Sequence, residues 1–417
     1  MIRWRSSRVA AWAMMAGGLA AIALGDAVEP SPPLAVHGEV IHTMAGPPIR
    51  DGVVLVVGGT VQAVGPATSV VVPANARRVH GRVVTPGLID AHTVVGLAGI
   101  HNQPHDQDQL DAGDPLQPEL RATDAYNSRE PLVAWLRGFG ITTIHTGHAP
   151  AALVSGQTMV VKTVDDPSDH AVLEPVAMVA GALGEAARPR GAGADSRSPG
   201  TRSKAVAMLR GELVRAQDYA RRRSTPKPPE RDLRKESLAA VLDGTLPLLI
   251  TVNRTTDILA ALRIAEEFQI RVVLDSVAEG YLVADRIAAA GVPVIVHPTM
   301  KRAGRGETEN VSFETAAVLR AAGIPIALQS GYEDYVPRTR VVLFEAAVAA
   351  ANGLGFEAAL AAVTVDAARI LGVADRIGTL EPGRDGDLAV FDGDPFEYTT
   401  HCTAVVIDGR VLREEPR

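Results

Sequence analysis

Along this chain the spacing of apolar and polar positions changes several times, and the changes mark out its parts. From residue 34 to residue 82 the apolar positions fall in short runs, 34–41, 52–57, 60–64 and 70–72, separated by Gly, Pro and Asn. Runs of this length between turn formers predict strands. Gly58-Gly59, between two of them, predicts a two-residue hairpin turn. The same texture returns near the far end, at 387–391 and 404–411. Two β segments that flank a region of different character can pair into one small sheet.

Between them, helical and strand patterns alternate. Residues 131–139 predict a helix and 141–146 a strand, whereas 181–203 is rich in Gly, Ala, Arg and Ser and predicts a long surface loop. A charged helix over 202–223 follows, with Arg221, Arg222 and Arg223 as its solvated end and Pro226, Pro228 and Pro229 stopping it. The second half has the clearer rhythm: strand 247–252, helix 256–268 with Ile258, Leu262 and Ala265 on one face, strand 270–274, helix 281–290, strand 292–296, helix 313–322 and strand 324–328. Strand-helix repeats of this length require parallel pairing with right-handed crossovers. Helices over 340–351 and 356–371 close the series.

Composition narrows the reading. Hydrophobic residues are 47% of the chain and aromatics 4%, so the core is built from Ala, Val, Leu and Ile, which suits α/β layering. The net charge is −7 with no long basic run, which argues against a nucleic-acid partner. Arg3, Arg5 and Arg8, an apolar run over 9–24, then Gly25 and Ala27 follow the order of a secretory signal peptide cleaved near residue 27. The expected destination is secreted or periplasmic, with no stable membrane insertion after cleavage; an uncleaved run would leave a membrane anchor instead. Cys402 is the sole cysteine, so export brings no intramolecular disulfide and the chain has no thiolate metal cluster.

One stretch carries a specific signal. Pro86-Gly87-Leu88-Ile89-Asp90-Ala91-His92-Thr93-Val94 reads as a buried strand entered through a Pro-Gly turn, with Asp90 and His92 on one face by the period of two. This PGLIDAH run resembles the first barrel strand of the amidohydrolase superfamily, where PGxIDxHxH ends in two histidines that bind a catalytic metal. The segment LGVADRIGTLEPGRDGDLAVFDGDP at 371–395 resembles that family's closing segment, and the likeness to the imidazolonepropionase-like branch runs from Leu34 to Leu412. The resemblance implies a (β/α)8 TIM-type barrel with a small composite β-sheet domain formed by the two chain ends. In these terms the chain divides into a signal peptide at 1–27, the first part of the β domain at 28–86, the barrel at 87–372 and the second part of the β domain at 373–417.

The resemblance also says where the chemistry should sit, and the chain departs from it there. The second histidine of strand 1 is Val94; the strand 5 histidine falls on Thr251-Val252-Asn253; the strand 6 histidine falls near Asp275-Ser276; the strand 8 aspartate falls at or beside Gly331, in Gln329-Ser330-Gly331-Tyr332. Only His92 remains as a ligand for the zinc or other divalent transition metal that the family implies. Catalytic zinc sites use three protein ligands, and metal coordination lowers the pKa of water from 15.7 to about 7. No metal cofactor is therefore expected at that site, and metal-dependent hydrolysis there should be weak or absent.

Other residues could stand in. His101 and His105 lie in the loop after strand 1 and His145 ends strand 2, so a relocated metal site with His92 is one alternative; Glu333 and Asp334, just past the missing aspartate, are candidates for the catalytic base. The commoner explanation of such residues is that they satisfy turns and charged loop ends. Lys162 falls in an apolar run that looks like an inserted hairpin and is not read as a ligand. The functional reading is thus an amidohydrolase-superfamily protein, by ancestry a hydrolase of carbon-nitrogen bonds other than peptide bonds, with most metal ligands replaced. The alternatives are an exported pseudoenzyme that binds a small polar molecule or serves as a scaffold, and an active hydrolase with the relocated metal site.

Overall fold

The computed structural model describes residues 32–166, 169–187, 199–332 and 340–414. The apolar run at 9–24 and its cleavage zone lie outside the described residues, as do Glu333 and Asp334. The described chain begins with four strands, β1 (Leu34–Ile41), β2 (Ile49–Val57), β3 (Thr60–Pro66) and β4 (Arg77–Pro86). Gly58 and Gly59 turn the chain between β2 and β3 at φ of 59° and 86°, which glycine adopts without a Cβ penalty. Residues 70–72, expected as a strand, form no ladder, and Val71 is 87% exposed. The strand forms instead at β4, parallel to β1 from Leu34↔Arg77 to Ile41↔Val84, because Val79 and Val84 can there be buried in the sheet's core.

Next come β5 (Leu88–Thr93) and β6 (Ile141–Thr146), which are parallel. The chain then reverses. β7 (Val154–Gln157) runs antiparallel to β10 (Val179–Ala182), and β8 (Met159–Lys162) runs antiparallel to β6, with β9 (Val172–Glu174) beside it. Parallel pairing resumes from β10 through β11 (Leu248–Val252), β12 (Val272–Ser276), β13 (Val294–Val296) and β14 (Ile326–Leu328). The result is two mixed sheets, six-stranded β14-β13-β12-β11-β10-β7 and four-stranded β5-β6-β8-β9, where an unbroken parallel series was expected. Contacts between them include the bridge Thr93↔Gly331 and main-chain bonds of 2.9 and 2.8 Å that Thr158 makes with Met178 and Ala177. Ile89, Val160, Ala180, Leu249, Val273, Ile295 and Ala327 share one core cluster between these strands.

Helices α1 (Pro131–Arg137), α2 (Arg202–Arg223), α3 (Leu233–Leu242), α4 (Thr255–Phe268), α5 (Ala284–Ala290), α6 (Thr315–Ala321), α7 (Val342–Ala349), α8 (Phe356–Ala362) and α9 (Val365–Ile370) accompany the strands. In α4 the buried stripe is Ile258, Ala261 and Ile264, one position away from the expected Leu262 and Ala265, which are only partly buried. Thr201 caps α2 by accepting from the Lys204 N–H. Helix α3, not foreseen in the sequence, is capped in the same way by Asp232.

The chain ends in β15 (Leu388–Phe391), β16 (Cys402–Ile407) and β17 (Arg410–Arg413). β15 lies antiparallel to β4, so the last three strands join the first four in one seven-stranded sheet, β17-β16-β15-β4-β1-β2-β3. A buried cation ties this sheet to β8. Lys162 Nζ lies 2.7 Å from Asp385, 2.9 Å from Asp387 and 2.5 Å from Asp408. Burial alone would lower its pKa, but Asp387 and Asp408 hold it above its ordinary value. The run around Lys162 is thus a strand whose polar end is matched by three carboxylates. It sits opposite Thr143, while Met159 at the other end of β8 sits opposite Thr146 where β6 ends, so Lys162 lies away from the strand ends where the site is expected.

Two outcomes follow from this latch. Lys162→Met keeps the shape but leaves three carboxylates facing one another, and urea denaturation should show a loss of about 3–5 kcal/mol. Asp387 is raised to about 6 by burial, so between about pH 4 and 6 the folded protein holds a proton there that the unfolded chain has released. That carboxyl favours folding increasingly as pH falls through this window. Measured by thermal unfolding, the stability of the wild type relative to Asp387→Asn should therefore rise as pH is lowered from 7 to 5.

Candidate functional site

The PGLIDAH run places its residues by two local devices. Gly87 is required because a Cβ there would come within 2.0 Å of Thr142 Oγ1 on β6. Between Asp90 and Thr93 the β5–β6 register gains a residue, Asp90 facing Ile144 and Thr93 facing Thr146. Such a bulge re-aims the side chains that follow it. Asp90 is spent on the main chain, accepting from the Ser330 N–H at 2.9 Å, and burial raises its pKa to about 6.

His92 is buried, and its Nδ1 lies 3.0 Å from Asp275 Oδ1 at the end of β12. The Asp275 carboxylate has two further donors: Thr251 Oγ1 on β11 at 2.6 Å and Gln329 Nε2, just after β14, at 2.7 Å. Burial opposes charge on both partners of the pair. Even so, Asp275 is held below its ordinary pKa by His92, Thr251 and Gln329, and His92 is held above its own by Asp275 and Asp90. With the carboxylate accepting from three sides, the His92 ring proton is on Nδ1. Its Nε2 is buried and makes no hydrogen bond.

His145 stands next to this pair, its ring centroid 5.7 Å from that of His92. Its Nδ1–H donates to the Ala91 carbonyl and its Nε2 accepts from Thr158 Oγ1, both at 2.6 Å. Burial, and then the charge of His92, push its pKa down to about 3, so the ring is neutral. Neither nitrogen is available to a metal. His101 and His105 are exposed, 6.1 Å apart by ring centroids. Among the described residues no three His, Cys, Asp or Glu side chains come together to hold a metal ion, so the relocated cluster of His92, His101, His105 and His145 is not assembled. His148 is buried and takes no part in these bonds, and His297 on the segment after β13 turns to Pro298 and Thr315.

The positions singled out by the resemblance thus do converge, as a hydrogen-bonded network. Val94, Thr251, Asp275, Gln329 and Gly331 line one cavity with His92, and Pro150, Pro298, Lys301 and Tyr332 complete its wall; its volume is about 30 Å3. Sequence reading missed the parts played by Gln329 and Thr158, because neutral side chains carry no signal until a partner faces them. Just beyond Asp275 the backbone is strained: Ser276 and Val277 have φ of 75° and 50°. A β-branched residue in that region costs on the order of 1–3 kcal/mol. It is held by the Val277 N–H bond to Val252 O at 2.7 Å and by Ser276 Oγ donating to Asn253.

The fold has the layout of one family. The family model described as "Amidohydrolase family" matches residues 106–413, and this chain belongs to that family. It is 27% identical over 415 residues to the imidazolonepropionase of Stenotrophomonas maltophilia, covering 88% of this chain and 92% of the relative. It is 26% identical over 391 residues to amidohydrolase tasK of Hapsidospora irregularis, covering 84% of this chain but spanning only 38% of that longer protein. Among solved structures, an amidohydrolase from Thermotoga maritima MSB8 superposes with a TM-score of 0.85 at 28% identity, over 92% of this chain and 100% of the other. The structural neighbours are amidohydrolase-superfamily folds, which are TIM barrels. Membership suggests a hydrolase acting on carbon-nitrogen bonds, and members typically use divalent metals.

The residues present do not fit such a metal. The donor set at the strand ends is one imidazole and one carboxylate already bonded to each other, with a hydroxyl and an amide taking up the rest of the carboxylate. Asp275→Leu would leave three donors without their acceptor. Chemical denaturation should show a loss of about 3–5 kcal/mol, and the loss should be the same in zinc and in chelator.

Proposed function

We propose that this chain is an exported, metal-free member of the amidohydrolase family, whose strand-end site has become a hydrogen-bonding pocket that binds a small polar molecule. It does not hydrolyse carbon-nitrogen bonds by the metal-dependent route of the family. The observation that carries this reading is Asp275, whose carboxylate accepts from His92, Thr251 and Gln329 at the point where the family resemblance puts ligands. Those bonds saturate the group that a metal would need. The cavity of about 30 Å3 also falls well short of the ~300 Å3 at which small-molecule enzyme pockets begin.

In this reading the strands from β5 to β14 close into a (β/α)8-type barrel with β7 and β8 together as a reversed third member, and 28–86 with 373–417 form one composite β domain. The first 27 residues direct export. Among the described residues no helix is long and apolar enough to cross a membrane.

Two measurements test it. Metal analysis of the purified protein should find no stoichiometric transition metal, and neither added zinc nor chelator should move the melting temperature, since a protein that binds no ligand gains no linkage energy from it. One tightly bound zinc or iron per chain, lost together with amide-hydrolysing activity in His92→Ala, would falsify the reading. N-terminal sequencing of the extracytoplasmic fraction should start near residues 26–28; intact Met1 in a membrane pellet would mark an anchor instead.

A further inference from the structure

Between β13 and α6 the chain runs through residues 297–314 without a strand or helix of its own. Loops longer than ~12–15 residues are uncommon in a compact domain and usually serve a function. The sequence gives this one little to pack with: its large apolar side chains are Met300, Val311 and Phe313, and Phe313 is 51% exposed. Among the described residues, nothing from 298 to 314 belongs to a hydrophobic cluster, whereas Val296 before it and Ala316 after it both do. Pro298 and Lys301 of this loop stand in the wall of the strand-end cavity.

The two ends of the loop are pinned together. His297 is buried; its N–H donates to Ser276 O at 2.7 Å, and its Nε2 lies 3.2 Å from Thr315 Oγ1 at the start of α6. Beyond that neck, among the described residues, residues 298–312 make main-chain to main-chain hydrogen bonds only with the loop itself and the Thr315 N–H, and inside the loop Gly304, Glu309 and Val311 donate across 3.4, 3.5 and 3.4 Å. Side chains fasten the rest. On one flank the Met300 N–H donates to the buried Glu345 of α7 at 2.7 Å. On the other, Glu307 accepts from the Glu185 N–H at 2.7 Å and from Arg202 at 2.5 Å, and Arg254 donates to Gly306 O at 2.9 Å and to the exposed Glu309 at 2.8 Å.

We propose that residues 298–314 form a movable wall of the strand-end cavity, which lifts as one piece about the His297–Thr315 neck, with Arg254 as its latch. This goes beyond the functional reading above and holds with or without a metal. A segment with few buried apolar contacts opens at a fraction of the cost of global unfolding. Lifting this loop breaks polar bonds that water replaces and uncovers no clustered apolar side chain. The need for it lies in the size of the cavity. One water needs roughly 10–15 Å3, so about 30 Å3 holds two to three of them. A larger molecule enters only when Lys301 leaves the wall, and the latch thus decides access to the site.

The test uses the full chain carrying Val94→Cys, which puts a thiol in the cavity wall, and iodoacetamide as a neutral probe. Cys402 is buried and its thiol is pushed up to about 12 by that burial, so its alkylation reports unfolding of the whole chain. Adding Arg254→Leu, which removes two bonds from a charged donor, should speed alkylation at position 94 about tenfold and leave Cys402 unchanged. In the unsubstituted chain, hydrogen exchange should find the Met300 and Glu185 amides exchanging at one common rate, on the order of 100-fold faster than the His297 amide at the neck. Arg254→Leu should speed those two and not His297. Alkylation at position 94 that ignores Arg254→Leu overturns the proposal, and so do Met300 and Glu185 amides that exchange only as slowly as His297. Should Val94→Cys not fold, the exchange measurement, which leaves the cavity intact, decides alone. A stoichiometric metal would overturn the metal-free reading and leave this inference standing.

Discussion

A single buried carboxylate, Asp275, sets the arrangement of the strand ends. Three donors from three different strands or their ends converge on its two oxygens, from β5, β11 and the segment after β14. Each donor alone would be an unpaired polar group in a dry interior, which is costly, so the four side chains hold one another in place. The network also explains how Ser276 and Val277 stay in a conformation they would not choose: the chain must leave β12 so that Asp275 keeps its three partners. The strand ends are therefore held together and are not a loose pocket. Of the polar side-chain atoms of His92 and Asp275, His92 Nε2 is the one without a hydrogen bond.

A second buried charge, Lys162, plays the corresponding part at the seam between β8 and the terminal sheet. The two cases differ in balance. At Asp275 one carboxylate faces one ionisable base and two neutral donors; at Lys162 one ammonium faces three carboxylates, with Arg376 also bonded to Asp385 at 2.8 Å. The first arrangement keeps its carboxyl ionised, while the second raises Asp387 to about 6. Breaking either pair strands buried charge, so each is costly to break even though ion pairing as such adds little.

Much of this was legible in the chain because periodicity reports directly on burial. Helix α2 and strand β1 have the very limits the pattern predicts, and the Gly58-Gly59 turn sits where two glycines can take a positive φ. Around Lys162 an inserted hairpin was expected; β8 pairs there with β6 and β9 while β7 pairs with β10, partners that were not legible, since an apolar run has no direction until it is paired. Val70 to Val72 misled for a related reason: β-branched residues suit a strand, but only one with a neighbour, and β4 takes that place beside β1. At the site, positions singled out by the resemblance come together around one cavity, while the bonds between them were hidden. Thr251 and Gln329 acquire meaning only from a carboxylate that lies 24 and 54 residues away in sequence.

Gly331 has a consequence for how such a site could change over generations. It stands at or beside the position where the family carries an aspartate, its φ is 71°, and a Cβ there would lie 2.6 Å from the ring of Pro298. A carboxylate at this point thus requires a shift of backbone as well as a change of side chain, and Pro298 would have to give way at the same time. A single exchange at this position therefore cannot add an acidic side chain without disturbing the packing around it, so residue 331 and residue 298 are tied to one another as a pair.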